Sequence, residues 1–432
     1  MKPFSPSLAL PGARMARLLG LGALVSRLYV YLSGFLAIFL MAANVSPARF
    51  GEYSIYQSVL EVALVVGTLG STLLFSRNAA AVPPAVTQGD VLRTLAFGLP
   101  LATALIVVIL AAQRLPVADG PFVLVVLTLA VFSFNCLRMA YSRGLGHAGL
   151  LNLEAGIRST ILVLGVGVCV SLGFELGVAH LLLINLFAFV VVCAAICIPS
   201  RPGASPPAGR HALDLASQAS ATVYSLLTFL LRKSDLLIVA FFMPLSYVGA
   251  FKLAFLLAEA PSQFVQAFLF TKTPAMMDAD PEKLAASKLQ LARHSFLLGC
   301  ALFVGLAALI TVAAPLLKLG EQARTIFLCI APYFLLRTYT IHHEMVLSLK
   351  TSMGSLGRWA LLEVALRLLS YGVVIVLFPG RPHYVFFIAC VSDFVLYETR
   401  MRLQFGFFPI TRVIHPGAIG AVGGIGGRRG TR

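Results

Sequence analysis

The stretch LDLASQASATVYSLLTFLLRKSDLLIVAFFMP, residues 213 to 244, places Arg232, Lys233 and Asp235 inside a run otherwise apolar enough to cross a bilayer. Eight apolar residues, Leu236 to Met243, follow Asp235, which argues against a charged cluster that snorkels to water from a helix end. A charge near the bilayer centre costs about 2.5 to 3.5 kcal/mol on insertion scales, so such residues face a wet cavity or a partner. Arg232 and Asp235, three apart, share one helix face and can neutralise one another. Lys233 points about 100° away and needs a different partner.

The rest of the chain agrees with a membrane setting. Of 432 residues, 59% are hydrophobic and 12% charged, with mean hydropathy +0.91. A soluble domain carries about 25% charged residues. Apolar runs long enough for spans of about 20 residues recur along the sequence. About twelve are predicted, near 18–45, 54–76, 92–112, 121–141, 150–173, 176–199, 214–243, 248–271, 292–317, 322–349, 356–378 and 384–402. Backbone groups in lipid must be satisfied internally, and runs of this length do so as helices. The first apolar run, Leu18 to Ala43, exceeds the about 7 to 15 residues of a signal-peptide core and is broken by Arg27, so it is read as a span.

The net charge of +16 would point to nucleic acid in a soluble protein, but here it has to be counted by loop. With basic residues near span ends counted with the adjoining side, twenty Lys and Arg fall on one side and six on the other, and the remaining seven are assigned to spans. The positive-inside rule then puts both termini in the cytoplasm. All seven cysteines lie in apolar runs without metal-type spacing and read as small core residues.

The Pro- and Gly-rich segment 200–213 divides the chain into an N-terminal six-helix lobe, 1–199, and a C-terminal one, 214–402, followed by a basic, Gly-rich cytoplasmic tail, 403–432. The halves repeat. Gly51, Tyr53 and Glu61 recur as Gly249, Phe251 and Glu259 at an offset of 198. Glu154 and Arg158 recur as Glu363 and Arg367 at 209, and Arg138 as Arg337 at 199. Matches in the same order, in halves of the same topology, predict an all-α integral membrane fold whose two lobes are related by a pseudo-twofold along the membrane normal. Such lobes enclose a midplane cavity and expose it alternately by rocking.

Ser46-Pro47-Ala48-Arg49-Phe50-Gly51-Glu52-Tyr53-Ser54, then Thr68-Leu69-Gly70-Ser71 and Arg77, with Ser26-Arg27 upstream, resembles the polysaccharide and O-antigen flippases of the multidrug/oligosaccharidyl-lipid/polysaccharide exporter superfamily. Asp235 in the seventh span and Gly249-Ala250-Phe251 opening the eighth are similar to that family as well. The basic tail and Ala250 depart from its pattern. The resemblance implies a bacterial inner-membrane flippase for an undecaprenyl-diphosphate-linked oligosaccharide in O-antigen or exopolysaccharide synthesis. Its implied partners are that lipid, membrane lipids, and a polysaccharide polymerase and chain-length regulator, with no nucleic acid. A cation-coupled multidrug exporter and a membrane-embedded polymerase or glycosyltransferase are the alternatives.

For a lipid diphosphate, intramembrane cations are the candidate ligands, guanidinium being suited to bidentate contact with phosphate. Arg27, Arg232, Lys233 and Arg337 fill that role in this reading, with Asp235 orienting Arg232. Glu154 with Arg158 and Glu363 with Arg367 are i, i+4 pairs and read as structural neutralisation. Glu61 and Glu259, mid-helix carboxylates, are the candidates for coupling to a H+ or Na+ gradient, with hydrogen-bonded packing the competing reading. His342-His343-Glu344 lacks metal-ligand spacing, and neither a Walker motif nor a catalytic arrangement is present, so no metal, no resident cofactor and no enzyme activity are expected.

Overall fold

The computed structural model describes residues 29–30, 32–72, 74–75, 88–144, 149–197, 215–270, 281–316, 320–350 and 353–405. The helix Leu32–Asn44 is α1. Eleven longer helices follow: α2 Pro47–Gly67, α3 Gln88–Ala112, α4 Gly120–Gly144, α5 Gly149–Ser171, α6 Val178–Cys197, α7 Leu215–Phe242, α8 Leu245–Phe270, α9 Pro281–Ala313, α10 Gly320–Lys350, α11 Met353–Leu377 and α12 Val385–Phe405. Each falls on one of the predicted spans. Among the described residues, six helices (α3, α4, α6, α8, α9 and α11) contain apolar windows long enough to cross a membrane outright. The others are shorter in apolar length or carry interior polar residues that neighbouring helices cover.

Two helices form the centre. Along α8 most residues are buried by protein, and α2 presents Phe50, Ile55, Tyr56, Val59 and Leu60 to the core. On the periphery the relation is reversed, with Leu92, Phe97, Leu101 and Val108 of α3 and Val373, Val376 and Leu377 of α11 exposed. Apolar side chains on an outer face are the expected arrangement when the surrounding solvent is lipid. The chain is a multi-pass, all-helical membrane protein.

Packing in the two halves of the sequence follows the same scheme. Helix α2 packs on α3 and α4 as α8 packs on α9 and α10, and α6 packs on α4 and α5 as α12 packs on α10 and α11. Contacts between the halves run chiefly through α2, which lies against α7 and α8. At that crossing the backbones nearly touch. A Cβ on Gly51 would lie 1.8 Å from the Leu245 carbonyl oxygen, and one on Gly249 would lie 2.9 Å from the Pro47 carbonyl oxygen. The contact is reciprocal: Gly51 and Gly249 differ by 198, and so do Pro47 and Leu245. Close approach of this kind requires residues without side chains and is the usual use of glycine between membrane helices.

The local sequence explains how α2 reaches that position. Ser46 caps it, its hydroxyl accepting from the Arg49 amide, and Pro47 occupies the first turn, where its missing N–H costs nothing. At the other end the helix stops after Gly67, and Leu69 and Gly70 take positive φ of 47° and 57°. The Leu69 carbonyl freed by that turn accepts a hydrogen bond from Thr222 of α7.

Candidate functional site: a buried charge network in the second half

The most heavily buried charges among the described residues converge on Arg367 of α11. Its side chain is 3% exposed. Nη2 donates to Asp393 Oδ2 of α12 at 2.8 Å and to the Tyr333 hydroxyl of α10 at 2.7 Å. Nη1 stands 3.7 Å from Asp235 Oδ1 of α7. The Tyr371 hydroxyl, one turn beyond Arg367 on the same face of α11, donates to that carboxylate at 2.8 Å. The guanidinium also lies over the Tyr333 and Phe386 rings, 4.7 and 5.5 Å from their centroids. Four helices thus meet on one arginine.

The depth of the network follows from helix rise. Asp235 is seven residues from the end of α7, Arg367 ten from the end of α11, and Asp393 eight from the start of α12. At 1.5 Å per residue this places the group about 10 to 15 Å in from one face. That face carries the bond between Tyr247, at the start of α8, and His383 in the turn between α11 and α12, 2.5 Å apart. Beneath it Phe251, Phe255, Phe334 and Phe386 form an aromatic layer, Phe255 meeting Phe334 edge-on with centroids 5.0 Å apart.

The arrangement is electrostatically sparing. Two carboxylates face one guanidinium, and the charge of Arg337, one turn beyond Tyr333 on α10, also acts on Asp235. Arg367 still has Nε and Nη1 without a hydrogen-bond partner, so the network is held by charge and ring contacts as much as by bonds. Asp393 is the most open member, its side chain 29% exposed.

These contacts add partners on other helices to the pairing expected from spacing. Asp235, expected to orient Arg232, whose side chain lies outside the described residues, meets Arg367 and Tyr371. Arg367, expected to pair with Glu363 one turn away, reaches three other helices. Arg158, the counterpart of Arg367 in the first half and the expected partner of Glu154, lies over the Phe132 and Phe189 rings at 6.0 and 5.3 Å. An arginine is long enough to reach a desolvated carboxylate or ring on a neighbouring helix, which i, i+4 spacing cannot show.

The other expected residues divide as follows. Arg27 and the Arg232 and Lys233 side chains lie outside the described residues. Arg337 sits beside the network. Glu259 is buried on α8 and its carboxylate accepts from Gln263 at 2.8 Å. Glu61, its repeat partner, is half-buried on α2. Tyr333, Tyr371 and Asp393 are not among the candidates that the sequence singles out. The available signal was the i, i+4 placement of Tyr371 after Arg367, which puts a hydroxyl beside a guanidinium on one face. Among the described residues there is no group of His, Cys, Asp and Glu arranged to hold a metal ion.

No family model matches the sequence, and no curated protein matches it. Solved structures do match in fold. The chain is similar to a multidrug resistance MATE family transporter of the MOP superfamily in its inward-facing conformation, with TM-score 0.62 and 12% identity over 88% of this chain and 98% of that one. The outward-facing conformation of a MATE family transporter aligns with TM-score 0.58 and 12% identity over 88% and 96%. A MOP superfamily transporter from Pyrococcus furiosus, described as having a binding pocket of reverse polarity, aligns with TM-score 0.51 and 14% identity over 92% and 97%. At these identities the likeness is one of fold alone.

Proposed function

We propose that this chain is an alternating-access transporter of the bacterial inner membrane. It moves an undecaprenyl-diphosphate-linked oligosaccharide from the cytoplasmic to the periplasmic leaflet for O-antigen or exopolysaccharide assembly, with both termini cytoplasmic. The observation that carries the alternating-access reading is the reciprocal crossing of α2 and α8 at Gly51 and Gly249. Two lobes joined closely at one face by a symmetric pair of helices can part there while closing at the other. The lipid-linked substrate is supported by the resemblance carried by residues 46–54 and 68–71. The Asp235, Arg367 and Asp393 network supplies ionisable groups at the depth where a H+ or Na+ gradient is coupled to such motion.

The second reading is a cation-coupled multidrug exporter. It is favoured by the same network, in which two carboxylates face one guanidinium. Proteoliposomes loaded with a lipid-linked oligosaccharide separate the two. The flippase should render the sugar accessible to a glycosidase on the opposite side, and collapsing the ion gradient should slow it. Vesicles that extrude a cationic dye but leave the oligosaccharide in its original leaflet would replace the flippase reading with the exporter.

A further inference from the structure

The two halves place an arginine in the same setting and then treat its charge differently. In each, a guanidinium from the fifth helix of the half lies against an aromatic ring of the fourth and one of the sixth. These are Arg158 with Phe132 of α4 and Phe189 of α6, and Arg367 with Tyr333 of α10 and Phe386 of α12. In the second half Asp235 and Asp393 complete the site and bury the cation to 3% exposure. In the first half the contacts of Arg158 among the described residues are aromatic, and the side chain stays partly exposed. The stacked Phe132 and Phe189 rings, centroids 4.2 Å apart, form its floor, and the buried Tyr53 of α2 is within reach of its charge.

An arginine about 14 Å along α5, nine residues after Gly149, sits at membrane depth. There a guanidinium whose contacts among the described residues are aromatic is stabilised when an anion joins it. The geometry points to Arg158 as the residue that takes the phosphate of an anionic substrate, the equivalent position in the second half being already neutralised. Its planar fork suits two phosphate oxygens, while the rings fix its orientation and pack against the apolar chain of the ligand. This assignment rests on the lipid-diphosphate reading above and names the side chain that recognises its headgroup.

The test uses the full-length protein in detergent, with a short-chain polyprenyl diphosphate, the matching polyprenol and inorganic diphosphate as probes. Wild type should bind the polyprenyl diphosphate at least tenfold more tightly than the polyprenol, and inorganic diphosphate should compete only weakly. Arg158→Met should lose that tenfold preference while melting no lower than wild type, since it removes a cation whose contacts among the described residues are aromatic and a methionine keeps the packing on those rings. Arg158→Lys should keep part of the preference. A lower melting temperature with the preference intact in Arg158→Met would make the residue structural and overturn the assignment, leaving the lipid-diphosphate reading standing. Equal binding of diphosphate and polyprenol by wild type would instead overturn the reading itself. Competition by inorganic diphosphate as strong as by the lipid would assign the site to a soluble anion and not to a lipid headgroup.

Discussion

Arg367 is the residue on which the second half depends. Removing one partner of a buried ion pair leaves an uncompensated charge and costs about 3 to 5 kcal/mol. Arg367→Met, which strands Asp235 and Asp393 together, should therefore be the most damaging single change in the network. Asp235→Asn should be milder, because the Tyr371 hydroxyl can still donate to the amide oxygen. The double variant Arg367→Met with Asp235→Asn should recover part of the loss. Melting curves of detergent-solubilised protein decide this, and strict additivity of the two single losses would show that the groups are not coupled. His383, outside the spans, offers a second residue-scale test. Burial, reinforced by Arg381, lowers its pKa from 6.5 to about 4, and Tyr247 and Tyr384 complete its surroundings. Between those values the unfolded chain binds the proton and the folded chain does not. The contribution is thus complete above about pH 6.5 and is lost as pH falls towards 4. His383→Gln should flatten that segment of the melting temperature against pH. An unchanged slope would assign the dependence to other groups.

At the scale of elements, the pair α2 and α8 determines how the halves meet. The nearest atom to a Cβ on Gly51 would be a backbone carbonyl, which cannot move aside as a flexible side chain can. Gly51→Ala is accordingly expected to cost about 1 to 3 kcal/mol, the range for overpacking. Gly249→Ala, with 2.9 Å to its nearest carbonyl, should cost less. Gly167→Ala on α5, where nothing lies within 4 Å, is the control and should be neutral. Thermal shift on the three variants checks the order. A Gly51 variant as stable as the Gly167 variant would mean that the helices do not cross so closely. The same approach recurs within the first half, where Gly98 of α3 meets the Gly67 carbonyl at the end of α2, a Cβ there standing 2.2 Å from the oxygen.

For the whole molecule, the distribution of basic residues makes a prediction independent of side-chain packing. With twenty Lys and Arg on one side and six on the other, segment 200–213 is expected in the cytoplasm. A phosphatase reporter fused after Gly203 should be inactive, and one fused in the connection between α11 and α12 should be active. The reverse pattern would invert the molecule, and activity at both would break the parallel relation between halves. The proposed transport cycle also requires the α2–α8 face to open, so substrate exposure on that side should depend on separating Gly51 from Leu245.

Periodicity and composition alone determined the membrane class, the positions of the helices and the internal repeat, because those properties are set by the length of an apolar run and by residue identity at a fixed offset. The glycine at 51 and its mate at 249 were visible as a repeat, though not as a point of contact. The partners of the buried charges were decided only by tertiary structure. Asp235 lies one turn from Arg232, and Arg367 one turn from Glu363, yet Asp235 and Arg367 meet across 132 residues of sequence. Local spacing can show which charges are able to meet on one helix. Which pair forms depends on the helices brought alongside in a medium of low dielectric, where every charge competes for the nearest desolvated counterion. The contrast between a neutralised Arg367 and a ring-bound Arg158 has the same origin. The sequence places both arginines at equivalent positions, and among the described residues the packing of α7 and α12 brings carboxylates to Arg367.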